Sequence, residues 1–146
     1  METADARSAR ALIFNSHILG AGAAQLGTVF ISCPESAADA AYRQALAGPG
    51  AWHTCLTRLI SGRPARAVAN RFTALQEIVG DLAIPDYPIA YDAGKALHAA
   101  AKARGDHGFA AHWAGQGAPL SRAMPAADLI AVLARKIAEA RHCQAG

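Results

Sequence analysis

The chain has 146 residues, of which 53% are hydrophobic, 17% charged and 6% aromatic, with a net charge of +3. That length supports one domain with a core, and the charge is too small and scattered to argue for a nucleic-acid partner. Three cysteines without a CxxC pair exclude a disulfide framework and fit a reducing compartment.

The N-terminal ten residues lack the apolar stretch of a signal peptide. No apolar run approaches the ~20 residues of a membrane span. The expected setting is cytoplasmic, with no membrane partner. Alanine supplies much of the apolar count, which favours helix.

Thr3 to His17 reads as a helix stopped by Gly20 and Gly22. Ala23 to Leu26 is a short, unalternating apolar run, as in a strand buried on both faces. Gly27 lets a backbone or ligand come close, and Thr28 adds a hydroxyl and an N–H at the strand's end. Ligands of parallel α/β folds sit at that end, and backbone N–H groups there suit a phosphate. A buried strand with no ligand fits the same residues.

Cys33-Pro34-Glu35-Ser36 breaks the chain, and Ser36 caps a helix from Ala37 to about Ala47 with Asp39 in its first turn. Gly48-Pro49-Gly50 closes it. His53 to Ser61 alternates like a strand, and Ser61-Gly62-Arg63-Pro64 is a turn. Ala65 to Val79 spaces Val68, Phe72, Leu75 and Val79 as a helix does. Asp81 to Pro88 is a loop, Ile89 to Arg104 a helix, and Gly108 to Trp113 a short helix. Pro125 opens the last helix, whose buried stripe is expected to be Leu129, Ile130, Leu133 and Ile137.

Chemistry-bearing patterns are few. The six histidines form no HxxxH or HExxH pair, so no metal site is expected. No serine lies in a GxSxG elbow, and no cysteine has a partner that marks a nucleophile. Carboxylates are dispersed. Arg58, Arg63, Arg66 and Arg71 read as a solvated face. Trp113 beside Gly115-Gln116-Gly117 suits the wall of a planar ligand, and equally a core tryptophan at a helix stop.

Several short motifs occur in one order: Gln25-Leu26-Gly27-Thr28, Cys33-Pro34-Glu35-Ser36, Leu56-Thr57-Arg58, Ser61-Gly62-Arg63-Pro64-Ala65-Arg66, Asn70-Arg71-Phe72, Asp86-Tyr87-Pro88 and Trp113-Ala114-Gly115-Gln116-Gly117. Their order and spacing resemble the C-terminal part of the nitronate monooxygenases, also called 2-nitropropane dioxygenases.

The resemblance implies an α/β fold. It would be the C-terminal fragment of an FMN-binding (β/α)₈ TIM barrel with its inserted helical covering domain, mostly helical as it stands. Residues 1–33 would end the barrel, 34–112 form the covering domain, and 113–146 give a flavin-facing loop and the closing helix. It assigns FMN binding to Gln25, Leu26, Gly27 and Thr28 at the phosphate, and to Gly115, Gln116 and Gly117. In such barrels the phosphate sits after the last strands.

The family reaction oxidises an alkyl nitronate with O₂ through FMN. Its catalytic base is a histidine in a Gln-Gly-x-Glu-Ala-Gly-Gly-His segment, which these 146 residues do not contain. No catalytic residue is therefore assigned, and the chain by itself is expected to be a truncated, inactive family member. Phe14-Asn15-Ser16-His17 also lacks a clear counterpart. The rival expectation is a non-catalytic helical binding module, or one subunit of a split flavoenzyme. Its partner would then be an upstream half-chain or a second copy, drawn by unpaired strand edges.

Overall fold

The computed structural model describes residues 23, 25–80 and 82–142. The expected helix Thr3–His17 lies outside them. The chain divides into two compact units, one of residues 1–37 with 120–146 and the other of residues 38–119.

Among the described residues of the first unit the expected strand Ala23–Leu26 is not seen. Ala23, Gln25, Leu26 and Gly27 have no regular structure and lead into a single helical turn, α1, at Thr28–Ile31. A run of small residues fits a buried strand only where neighbouring strands pair with it. Among the described residues none does, so the unpaired edge expected there does not arise.

The chain then turns, with Ser36 N–H donating to the Cys33 carbonyl at 3.0 Å. The last helix of this unit, α5, is Ala126–His142, preceded by Pro125. Glu35 accepts from the Ala126 N–H at 3.0 Å, satisfying one of the donors that every helix start leaves open. The stripe of α5 differs from expectation. Leu129 and Ala140 are buried and Leu133 and Ile137 half-buried, but Ile130 is 56% exposed. Residues 129, 133, 136 and 140 recur at helical spacing, and the alkyl stem of Lys136 fills the third of these buried places. Ile130 lies a hundred degrees round the helix from Leu129.

The second unit opens with α2, Ala40–Ala47. Its cap is Asp39 rather than Ser36, because the Asp39 carboxylate accepts from the Tyr42 N–H at 3.0 Å. Lys102 binds the other oxygen at 2.6 Å. That hydrogen bond, and then the Tyr42 N–H, hold the Asp39 carboxyl down to about 2.

Asp39→Ala is expected to cost about 0.5–2 kcal/mol through the lost cap. Asp39→Asn keeps a cap and loses only a half-exposed ion pair, worth ~0–1 kcal/mol. The folded carboxyl lies below the ordinary 3.8. Its contribution is therefore complete above that pH and disappears as pH falls from there towards 2. Urea midpoints between pH 2 and 7 check this: the wild-type decline below pH 4 should be shallower in Asp39→Asn.

A 3₁₀ turn at Pro49–Trp52 leads to strand β1, Thr54–Thr57, and β2 follows at Ala65–Val68. They pair antiparallel from Thr54↔Val68 to Thr57↔Ala65. The expected helix Ala65–Val79 is thus split. Its first part is a strand, and the helix α3 is Arg71–Val79. The stop is chemical. Asn70 accepts from the Thr73 N–H at 3.1 Å, while Thr73 Oγ1 accepts from the Asn70 N–H at 2.9 Å. This reciprocal box fixes a helix start.

The expected strand His53–Ser61 is correspondingly shorter, and Leu59 and Ile60 lie in the turn that follows. Helix α4, Ile89–Lys102, matches expectation. Gly108–Trp113 is not a helix. Its end runs beside β2, with Val68 N–H donating to the His112 carbonyl at 2.9 Å and Ala114 N–H to that of Arg66 at 3.0 Å. Asn70 Nδ2 ties the same segment through the Ala110 carbonyl at 2.8 Å.

Ile60, Ala67 and Phe72 form the core, joined by Leu59, Leu75, Tyr91, Phe109, Ala111 and Trp113. Helix α4 comes close enough that a Cβ on Gly94 would lie 3.0 Å from the Ile60 carbonyl oxygen. This seats α4 against the turn that holds Ile60 and against the Phe72 ring of α3.

Candidate functional site

Where α4 begins, the second unit holds an open cavity of 440 Å³ lined by Ser61, Arg63, Ala65, Tyr87, Tyr91 and Trp113. Tyr91 lies in the first turn of α4, and Tyr87 in the turn just before it. Their rings stack at 5.9 Å and 28°. Trp113 lies 6.5 Å from Tyr91, tilted by 41°. Its backbone is held by the 112–114 segment beside β2, and its carbonyl accepts from the Tyr42 hydroxyl.

Behind it, Tyr42 stacks on His112 at 4.6 Å. Burial pushes the Tyr42 phenol up to about 12 and the His112 imidazolium down. The stacked pair backs Trp113.

Two cations stand at the rings. The Arg63 guanidinium lies 5.6 Å from the Tyr87 centroid, and Lys95 Nζ 5.1 Å from that of Tyr91. Lys95 is already paired with Asp92 at 2.7 Å, and that hydrogen bond raises its pKa. Of the four clustered arginines, Arg58, Arg63 and Arg71 are exposed, as a solvated face would have them, and Arg66 is half-buried. Arg58 donates to the Gly62 carbonyl, Arg66 to that of Thr54, and Arg71 pairs with Asp106 over the Phe109 ring. Arg63 alone of the four faces the cavity.

Trp113 lines the cavity, as one reading of the sequence allowed. Gly115, Gln116 and Gly117 do not; they form the turn before the Ala118–Leu120 3₁₀ helix, with Gly115 and Gln116 exposed. Gln25, Leu26, Gly27 and Thr28 belong to the other unit. Tyr91 and Arg63 went unassigned from sequence. The signal was Tyr-x-x-x-Tyr across a helix start, the first ring in the turn before the helix and the second in its first turn. Among the described residues no group of three metal-ligating side chains gathers, and no described helix is long and apolar enough to cross a membrane.

Residues 10–136 match the family model described as nitronate monooxygenase. The chain belongs to the nitronate monooxygenase family. It is 56% identical over 119 residues to a nitronate monooxygenase of Paraburkholderia phytofirmans, covering 82% of this chain and 32% of that protein. Against a nitronate monooxygenase of Pseudomonas aeruginosa the identity is 55%, covering 82% and 34%. A solved nitroalkane oxidase from Streptomyces ansochromogenes superposes with a TM-score of 0.78 at 40% identity, over 92% of this chain and 38% of that one. The chain thus spans about a third of the length of the nitronate monooxygenases it matches.

Proposed function

We propose that this chain serves the FMN-dependent oxidation of alkyl nitronates, and that the Tyr87–Tyr91–Trp113 cavity is its substrate-facing wall. The cavity carries the reading. An alkyl nitronate is a small planar group with an apolar tail, and ring faces accept both. The wall is rigid, because Tyr91 and Trp113 pack on the core and Tyr42 anchors the Trp113 backbone.

FMN, when bound, would carry the electrons leaving the substrate. The residues assigned to its phosphate, Gln25 to Thr28, suit an approaching anion. Gly27 has φ −114°, open to any residue, and a Cβ there meets no described atom within 4 Å. The fold itself does not require glycine at this place, and the free space is what a close phosphate needs. Gly115, Gln116 and Gly117 are assigned to the cofactor by resemblance. Gly27→Val is therefore expected to leave the urea midpoint nearly unchanged and to weaken FMN binding. Thr28→Ala should weaken it less, by about one hydrogen bond, roughly 0.5–1.5 kcal/mol. Flavin fluorescence titration checks this, and equal affinities would remove the assignment.

The function is tested by a chimera in which residues 10–136 replace the matching third of the Paraburkholderia phytofirmans protein. Oxygen uptake with propyl-2-nitronate is expected, and Tyr91→Ala or Trp113→Ala should raise KM more than they lower kcat. A folded, FMN-loaded chimera without nitronate oxidation would overturn the reading.

A further inference from the structure

The geometry points to Arg63 as the specificity-determining residue of the aromatic cavity, the one that makes it take the anionic nitronate in preference to the neutral nitroalkane. This rests on the reading of the cavity as the substrate wall.

Arg63 is the only charged side chain among the cavity's lining residues. The other cation nearby, Lys95, is committed to Asp92. Arg63 has no carboxylate partner among the described residues. Its guanidinium is held over the Tyr87 ring at 5.6 Å, an arrangement that costs a planar, weakly hydrated cation little and aligns its N–H fork.

Its backbone is clamped on both sides. Ser61 Oγ donates to the Arg63 carbonyl at 3.1 Å and accepts from the Arg63 N–H at 3.4 Å. Gly62 before it is held at φ +77°, and Pro64 follows. A guanidinium so placed presents its N–H fork to a planar anion with two oxygens. A nitronate offers that pair to a bidentate fork, whereas a neutral nitro group offers only weak acceptors. Arg63 is exposed at the mouth of the open cavity, so its pull on the anion is expected to weaken as salt rises.

The test uses the 146-residue chain and two inert or uncharged probes of one shape. Isobutyrate is a carboxylate isostere of propane-2-nitronate, and 2-nitropropane is the neutral counterpart. Each is titrated at low ionic strength while the Trp113 indole N–H and the Arg63 Nε–H are followed by NMR.

Isobutyrate is expected to shift both signals in the wild type. Arg63→Gln should weaken it about ten- to a hundredfold, the range of a lost charge-assisted contact. Arg63→Lys should lie between, and 2-nitropropane should bind all three alike. Equal isobutyrate affinity in wild type and Arg63→Gln, with unchanged amide spectra, would overturn the role of Arg63 and leave the cavity reading standing. Failure of both probes to move the Trp113 signal would overturn the cavity reading and this inference with it.

Discussion

Gly62→Ala is expected to lower the unfolding free energy by roughly 2–5 kcal/mol, combining a left-handed backbone penalty with overpacking. Gly62 sits at φ +77°, a region that side chains disfavour. A Cβ there would overlap the Pro85 carbonyl oxygen and lie 2.8 Å from the Tyr87 nitrogen. Both neighbours are backbone, so neither can rotate away. Gly105 is the control. Its φ is +73°, but no described atom lies within 4 Å of the added Cβ. Gly105→Ala should therefore cost only the backbone term, about 1–2 kcal/mol. Urea unfolding of both variants separates the two causes, and equal losses would mean that the 85–87 loop yields freely. The effect should also reach the cavity, since the loop that Gly62 supports carries Tyr87. Gly62→Ala, measured where it is still folded, should lose isobutyrate binding as well as stability.

Helix α4 was legible because its punctuation is local: Pro88 at the start, Gly105 after the end and alanines between. The α3 start was legible in principle as Asn70 three residues before Thr73, but the 4-3-4 spacing of Val68, Phe72, Leu75 and Val79 concealed it. Val68 owes its place to pairing with Thr54, a tertiary fact that no local window contains. The Ala23–Leu26 run failed for the opposite reason, since a strand needs neighbours and none of the described residues pairs with it.

The candidate site was half legible. Trp113 stood out as a ring beside a glycine turn. Tyr91 carried no mark in the sequence, and it packs against the core. Arg63 was hidden among three arginines that the fold uses to fasten its own backbone and side chains. Only their partners distinguish the one that faces the cavity.

The 146-residue chain, supplied with FMN, is expected to oxidise propyl-2-nitronate no faster than FMN alone. It should also exchange the C2 proton of 2-nitropropane no faster than buffer. A nitronate has already lost its C2 proton, so it is the missing exchange of 2-nitropropane, and not the missing nitronate oxidation, that follows from the lining of the cavity. Arg63 cannot accept a proton near neutral pH, and the Ser61 hydroxyl is engaged with the Arg63 backbone. Of the described imidazoles, His112 is buried beneath Tyr42, and His53, His98 and His107 do not line the cavity. Loss of a positioned general base typically costs ~10²–10⁴-fold in the proton transfer it serves. The histidine segment that the family resemblance names as the source of that base is not among these residues. Deuterium wash-in at C2, followed by proton NMR, isolates this step from electron transfer and oxygen chemistry. The chimera with the Paraburkholderia protein should show wash-in, and the chain by itself should not. Exchange well above buffer by the chain alone would mean that one of its own side chains serves as the base, and the division of labour argued here would have to be given up.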